Sequence, residues 1–458
     1  MPRMQPTRTL LALTLAVSLM PDAIALDIAD VWRAAVRHDP GLQAARAASE
    51  AGHARRQQAV ALWRPLVALE GGAGWGGMDS TMRGAQFSMP GTPAQRDITF
   101  NTSISNGVAT RVMLGIRQAL FSTERSAQAA QMNIAADAAE AEWGNAQQTL
   151  MLQSAEVYFA VALAHQRLAL LLRQQQAVDK ALIEAKDRFK LGDRPVIDVH
   201  EAKARADTIR AQRSTLETEL SLSQAALKDL SGLSVEPSSL ALPSTDQGPE
   251  DAGELDDWIA RAAQGNAVLK LADAQWQNAQ QEAAKTRGML SPSVDLIAMA
   301  GRERLSGSGD YGDAGITVNS QTIGVQLSMP LYTGGMRGAR HSEAIAQVEK
   351  AKADLEHARL QVYQQIKSAW MNLRVGGSLI EALQSAVQAS LARLDATQIG
   401  REAGDRTMLD QLNAENDAAA AEFALSQARV NLFLARLKLA LLAGELDEHL
   451  LALRSATR

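Results

Sequence analysis

The sequence predicts a mainly helical fold with a small β portion, arranged as two similar halves. Three observations lead to this fold class. Prolines are absent from two long stretches, between Pro93 and Pro195 and after Pro330. Four short segments alternate apolar residues with polar or small ones, which is the period of a β-strand. The pattern Gly-Asp-Arg, followed three positions later by an aliphatic residue and Asp, occurs once in each half, at 192–198 and 404–410.

The beginning of the chain has the pattern of a secretory signal peptide. Basic residues precede an apolar run at 10–20, and a small-x-small pattern ends at Ala23 and Ala25. We therefore expect cleavage after Ala25 and export of the remainder. The apolar run is too short to span a membrane, and we expect no transmembrane helix in the mature chain.

Composition excludes several classes of function. The chain has no cysteine, which excludes disulfides, thiolate metal sites and a lipid-modified cysteine. The formal net charge is −5 and no basic cluster stands out. This charge distribution argues against nucleic acid as a partner.

The two proline-free stretches predict long helices. Residues 123–190 are rich in Ala, Leu, Gln and Glu, and apolar residues recur at three- and four-residue spacing. One helix over this range would be on the order of 100 Å long, a length typical of coiled coils rather than of single globular domains. The second stretch predicts a similar helix, with an irregularity at Gly376 and Gly377, then a turn and a further helix.

The four alternating segments predict β-strands. Val67, Leu69 and Trp75 fall on one face of the first segment, and 323–331 alternates in the same way, whereas 112–116 and 294–298 do so less regularly. Segments of about ten residues with one apolar face are typical of outer-membrane strands, although a soluble antiparallel sheet has the same alternation. Four strands cannot close a membrane barrel, which needs at least about eight, so these strands would need partners from other copies of the chain.

The repeat extends beyond these elements. Residues 44–72 match 271–301, and an insertion in the first half lies between Pro65 and Phe121. A linker rich in Pro, Ser and acidic residues joins the halves. The predicted organisation is a signal peptide at 1–25, a first structural repeat at 26–232, a linker at 233–254, a second repeat at 255–448 and a C-terminal tail at 449–458.

No motif in the sequence predicts catalysis. Residues 72–77, "GAGWGG", match G-x-G-x-x-G, but a dinucleotide site requires a helix directly afterwards, and small residues on one face of a strand explain the glycines better. The histidines are dispersed and lack the spacing of a zinc site. We expect no enzymatic activity, no cofactor and no metal site.

The sequence resembles the TolC family of outer-membrane channel proteins over nearly all of the mature chain. The resemblance rests on "ALWRPLVALEGG", "LSMPLYTGG", "FKLGDRPVIDVHEAKA", "GDRTMLDQLNAEN" and "LKLALLAGELDEHLL". It implies a homotrimer in which each protomer contributes four strands to one shared twelve-stranded transmembrane β-barrel. It also implies that the long helices form a periplasmic coiled-coil tunnel, that loops at 78–110 and 303–319 face the exterior, and that the helix-hairpin turns form the periplasmic tip.

The repeated turn has a structural interpretation that is independent of function. Gly192 and Gly404 suit the left-handed position that ends a helix. Thr407 with Asp410 forms a capping pattern, and acidic residues such as Asp198 and Asp410 are favoured in a first helical turn.

The resemblance adds functional roles at the same turns. Asp410 falls on an Asp that lines the periplasmic aperture, while Arg406 and Asp198 fall on residues that help to hold it closed. This chain departs from the family where Asn413 replaces a second aperture Asp and Arg401 replaces a constraining Tyr. The implied positions are Asp410, Asn413, Arg406 and Asp198 for the aperture and its gate, and Gly192, Arg194 and Gly404 for contact with an adaptor protein.

These expectations combine into one function. The chain is predicted to be a passive exit duct in the cell outer membrane, in contact with membrane lipid and with a large periplasmic part. Its implied partners are a periplasmic membrane fusion (adaptor) protein and an inner-membrane ABC or proton-driven transporter. The absent lipidation cysteine and the compact C-terminus slightly favour a type I protein-secretion or general export duct over a dedicated drug-efflux lipoprotein, but the sequence does not identify the cargo, which could be a secreted protein or small molecules in multidrug efflux. The alternative is a periplasmic coiled-coil scaffold or adaptor without a membrane barrel.

Overall fold

The computed structural model describes residues 26–193, 195–243 and 253–451. The predicted signal peptide, Arg194, part of the linker and most of the tail lie outside these ranges. The helices are α1 Ile28–His38, α2 Pro40–Ala61, α3 Thr123–Lys190, α4 Val196–Ser231, α5 Leu255–Gly265, α6 Ala267–Gly288, α7 Met336–Glu402, α8 Met408–Ala443 and α9 Glu448–Leu451. The strands are β1 Leu66–Phe87, β2 Gln95–Phe121, β3 Ser293–Gly309 and β4 Gly312–Ser328, and a 3-10 turn lies at Pro237–Ser239.

The two halves of the chain contain the same elements in the same order. Helices α1 and α5 each have 11 residues, and α2 and α6 each have 22. Helix α3 has 68 residues and α7 has 67, while α4 and α8 each have 36. The order helix, helix, strand, strand, long helix, helix thus occurs twice.

The long helices agree with the sequence prediction in all but one feature. The predicted bounds of the first, 123–190, are those of α3. The irregularity predicted at Gly376 and Gly377 is wrong, because α7 continues through both residues. A Cβ atom at Gly376 would lie 2.5 Å from Leu432 Cδ1, so this glycine makes room for a side chain of α8 instead of breaking the helix.

One helix of the described ranges, α3, is long and apolar enough to meet a membrane-span criterion. That criterion is also met by core helices. Helix α3 supplies Tyr158, Phe159 and Val161 to a buried cluster, so these apolar side chains have protein partners.

The strands form one antiparallel sheet in the order β1-β2-β3-β4. Its register joins the four predicted apolar runs on a single face, because Val67 lies opposite Ile116, Ile116 opposite Ala298, and Ala298 opposite Ile323. We call this the apolar face, and we call the rows of paired residues near the helix-linked strand ends its lower rows. The lower rows contain Val67, Leu69, Leu114, Ile116, Leu296, Ala298, Ile323 and Val325. Glu70, Arg111, Asp295 and Glu303 lie on the opposite face.

The strands are longer than the sequence predicted. They have 22, 27, 17 and 17 residues, and the predicted loops at 78–110 and 303–319 are mostly strand, with connections only at 88–94 and 310–311. The prediction failed because ladder hydrogen bonds join backbone groups and do not require alternating side chains. The residues predicted as an insertion lengthen the β1–β2 hairpin. Residues 72–77 lie inside β1 and no helix follows them, unlike in a dinucleotide site.

The chain divides into two compact units. One comprises 41–146 and 259–365 and contains the whole sheet; the other comprises the described residues among 1–40, 147–258 and 366–458 and contains both turns between long helices. In the second unit Phe159 packs edge-to-face against both Tyr158 and Phe433, with ring centroids 5.3 and 5.4 Å apart. These rings form the centre of its larger buried cluster.

Tyr158 ties two irregular segments to α3. Its hydroxyl donates to the Leu26 carbonyl at 2.9 Å and accepts from the Ala241 N–H at 2.8 Å. Leu26 also forms an isolated parallel bridge with Leu240. Burial raises the pKa of Tyr158 to about 12, while the Ala241 hydrogen bond acts in the opposite direction.

Tyr158→Phe should therefore weaken attachment of the N-terminal segment and the linker. The substitution keeps the ring but leaves a carbonyl and an N–H without their partner, which costs about 1–3 kcal/mol. Limited proteolysis near residues 26 and 241, together with the thermal unfolding midpoint, measures the effect. Tyr363→Phe is the matched control, since Tyr363 is 40% exposed. Equal protease resistance in the two variants would contradict the assigned role.

Candidate functional site

The first turn between long helices joins α3 to α4. Gly192 has φ of 77°, which confirms the predicted left-handed conformation. The Asp193 N–H donates to the Arg188 carbonyl at 2.9 Å and closes the end of α3. Asp198 lies in the first turn of α4, as predicted. Arg194, proposed as an adaptor contact, lies outside the described residues.

The second turn joins α7 to α8 and has the same geometry. Gly404 has φ of 86°, again the predicted left-handed conformation. The N–H groups of Asp405 and Arg406 both donate to the Gly400 carbonyl, at 2.8 and 3.2 Å. A glycine is therefore required here to reverse the chain.

Asp410 and Thr407 form the predicted capping box at the start of α8. One carboxylate oxygen of Asp410 accepts from the Thr407 N–H at 2.9 Å and from its hydroxyl at 2.8 Å, while the Asp410 N–H donates to the Thr407 hydroxyl at 3.1 Å. The Thr407 backbone hydrogen bond lowers the pKa of Asp410, and the Thr407 hydroxyl and the Arg406 charge act in the same direction. Asp410 therefore holds a negative charge at a fixed position.

Arg406 and Asp198, the predicted gate pair, are not joined within one chain. No ion pair connects them among the described residues, and the Arg406 side chain instead lies close to Gly400, where an added Cβ would be 2.8 Å from Arg406 Cγ. Asn413 is exposed on α8. A contact between Asp198 and Arg406 of different copies stays a prediction.

The contact that links the two turns in one chain was missed by the sequence analysis. Arg401 lies 3.4 Å from Glu184 of α3 through Nη2, and its Nη1 lies 2.8 Å from Met408 Sδ. Glu184 also pairs with Arg188 at 2.9 Å, and Arg188 lies 3.8 Å from Asp193. Three ion pairs thus run from the end of α7 to the α3–α4 turn. The Glu184–Arg188 pair has the i,i+4 spacing of a helix, but no sequence spacing predicts the Arg401–Glu184 pair, because these two residues meet only when the two hairpins are packed together.

Glu415 is a second residue that the sequence did not indicate. It lies on α8, one helical turn from Gln411, and among the described residues Glu415 Oε2 and Gln411 Oε1 are buried acceptors without a hydrogen-bond donor. Burial raises the pKa of Glu415, and the positive charges of Arg401 and Lys180 oppose that rise. Arg401 therefore acts on two carboxylates, those of Glu184 and Glu415.

A small apolar cluster supports this charged region. Leu182, Val178 and Ala181 of α3 pack with residues of α4 and with Leu412 of α8, and all are buried. Leu412 lies between Asp410 and Asn413 in sequence, so the buried side chain orients the helix that carries both candidate aperture residues. The arrangement can hold and position charges at the turns.

Comparisons with known proteins agree with one another. The family model "Outer membrane efflux protein" matches residues 31–233 and 258–457. The chain is 30% identical to the outer membrane protein TolC of Vibrio cholerae serotype O1 over 68% of this chain and 71% of that protein. It is 26% identical to the proteases secretion protein PrtF of Dickeya chrysanthemi over 96% of this chain and 93% of that protein.

Solved structures share the fold. The outer membrane protein VceC of Vibrio cholerae superposes with a TM-score of 0.69 at 20% identity, over 91% of this chain and 96% of that chain. The family consists of channel proteins rather than enzymes. The chain therefore belongs to the outer membrane efflux protein family, that is, to the TolC family of outer-membrane channels, and lies in the outer membrane with a large periplasmic part.

Proposed function

We propose that three copies of this chain form one passive exit duct, which acts with a periplasmic membrane fusion (adaptor) protein and an energised inner-membrane transporter. The observation that carries the proposal is the sheet. Within the described residues β1 and β4 each pair on one side only, and the sheet presents a continuous apolar face.

An open sheet of this kind cannot stand alone in lipid. Each unpaired backbone group in the hydrocarbon region costs several kcal/mol, so spanning sheets are closed. Four strands are too few to close, whereas three copies supply twelve, which lies within the range of outer-membrane barrels. In that barrel the apolar face meets lipid and the face with Glu70, Arg111 and Glu303 lines the lumen.

The cargo that we propose is a secreted protein of the type I class. PrtF, a protein that is named for protease secretion, aligns with nearly the whole chain. Multidrug efflux is the second candidate, favoured by the name of the family model. Deletion of the gene separates them: loss of an extracellular protein with unchanged resistance to drugs supports secretion, and the reverse result supports efflux.

The duct itself is tested in planar bilayers. The purified, unheated protein should migrate as a trimer and add discrete conductance steps, because a closed barrel leaves a water-filled lumen. The same protein boiled to monomers is the control and should add none. A purely soluble periplasmic product, or a trimer that never conducts, would instead support a scaffold or adaptor.

Asp410 should set the ion selectivity of the duct. Three such carboxylates converging on one opening raise the local negative potential and attract cations, so Asp410→Asn should reduce cation selectivity and block by multivalent cations. Because the pKa of Asp410 is lowered, selectivity should persist below the pH at which an ordinary Asp is protonated and be lost as pH falls through the lowered pKa. Asp207→Asn, an exposed position on α4 that pairs with Arg210, is the control. Unchanged selectivity in Asp410→Asn would reject the ring.

The gate pair is tested by conductance. Asp198→Ala combined with Arg406→Ala should enlarge the single-channel conductance if these residues constrain the aperture between copies. Arg401→Ala is the comparison, because it breaks the 3.4 Å contact with Glu184 within one chain. If conductance increases in Arg401→Ala but not in the double variant, the Arg401–Glu184 pair, and not Asp198 with Arg406, constrains the aperture.

A further inference from the structure

Two arginines lie on the apolar face of the sheet. The register places Arg302 of β3 between Val112 and Asn319, and Arg304 between Thr110 and Thr317. Both belong to the same alternating set as Leu296 and Ala298, and both side chains are exposed. A charged residue on a lipid-contacting face is costly at the midplane of the membrane and nearly neutral at its surface.

Their position along the strand places them at the upper end of the apolar band. Val294 is the first residue of β3 on this face, and Arg302 and Arg304 lie eight and ten residues beyond it towards the hairpin connections. At about 3.4 Å per residue and a strand tilt of about 40°, these separations correspond to heights of about 21 and 26 Å. The apolar band of an outer-membrane barrel is about 25 Å tall. With the helix-linked strand ends towards the periplasm, Arg302 and Arg304 lie where the apolar band meets the outer surface.

Each of the two guanidinium groups donates one hydrogen bond from Nε within the sheet. Arg302 Nε donates to Asn319 Oδ1 at 2.8 Å, and Arg304 Nε donates to Ser306 Oγ at 3.2 Å. Among the described residues neither arginine forms an ion pair with a carboxylate. The two terminal nitrogens of each group are the part that remains for a ligand, and this pair of donors matches an anionic oxygen group such as phosphate.

Arg111 shows the contrast on the opposite face. It lies at the same level of the sheet, opposite Glu303 of β3, and its Nη2 is 3.4 Å from Glu303 Oε2. The exposed side chain of Arg111 is thus neutralised within the chain. Arg302 and Arg304 carry two like charges on adjacent rows without such a partner.

A neighbouring copy cannot supply the missing anion through strand pairing. Strand β3 is an inner strand, and both of its neighbours, β2 and β4, belong to the same chain. A ligand on this surface contacts aliphatic side chains on the periplasmic side and the two arginines on the outer side. A lipid with a phosphorylated headgroup has both parts in that order.

We propose that Arg302 and Arg304 form a binding site for the phosphate group of an outer-leaflet lipid. The site rests on the proposed function, because it requires the apolar face to contact the membrane. Its role is to hold a lipid against the barrel at the outer surface, with one site on each copy.

The test compares binding of one lipid probe to four proteins. Wild type, Arg302→Gln, Arg304→Gln and the double variant are purified as unheated trimers and titrated with lipid A in detergent. Each arginine near a membrane surface contributes on the order of a fivefold change in affinity, so the double variant should bind about 25-fold more weakly. Arg111→Gln is the matched control and should bind as wild type does.

Two further arms identify the ligand. Lipid A without its phosphates should bind wild type as weakly as the double variant binds intact lipid A. Inorganic phosphate should not compete at equal concentration, because it lacks acyl chains for the apolar face.

The outcomes separate this site from the duct. Equal lipid A binding by wild type and the double variant, or an equal loss in Arg111→Gln, overturns the site while the conductance of the same trimers preserves the duct. A wild-type protein that forms no conducting trimer overturns the duct and the lipid site with it.

Discussion

The constraint on which the structure depends is the need to pair every backbone hydrogen-bonding group inside a membrane. In the part of the chain that the structure describes, one copy has four strands and two open edges, at β1 and β4. Water can satisfy those edges, but hydrocarbon cannot. The apolar face and the exclusion of most charges from its lower rows are useful only if the edges are closed by other copies. The exposed hydrophobic residues of the sheet, such as Leu69 at 72% and Ile323 at 77%, then become lipid contacts rather than an aggregation hazard.

The turns between the long helices depend on local interactions and do not require a second copy of the chain. Their backbones are set by local chemistry: a glycine in the left-handed conformation and, at the start of α8, a capping box. Near the turns an ion pair with partly exposed side chains, Arg401 with Glu184 at 31% and 33% exposure, joins α7 to α3, while a buried apolar cluster packs Leu412 of α8 against α3 and α4. Exposed pairs of this kind contribute about 0.2–1 kcal/mol each.

Much of the fold could be predicted from the sequence because its rules are local. The bounds of α3, the left-handed Gly192 and Gly404, and the Thr407–Asp410 cap follow from periodicity and from capping chemistry within a few residues. The strands were predicted too short because the upper hairpins lack alternation, while their pairing depends on backbone groups. Gly376 was misinterpreted because its reason, the nearby Leu432, lies on another helix. The Arg401–Glu184 contact and the Arg302–Arg304 pair are likewise tertiary features, visible only when the packing and the register are known.

In the proposed barrel β1 of one copy pairs with β4 of the next, and the absence of native cysteine makes a direct test possible. Gly72→Cys on β1 is combined in turn with a cysteine at each opposite-face position of β4, namely Ile316, Val318, Ser320, Thr322, Gly324 and Gln326. Disulfides form only when Cα atoms are about 4.4–6.8 Å apart, so oxidation reports strand neighbours. We expect one or two adjacent positions to give a covalently linked trimer that is resistant to boiling and released by reductant. Linkage within single chains only, or no linked multimer at any position, would contradict a barrel shared among copies.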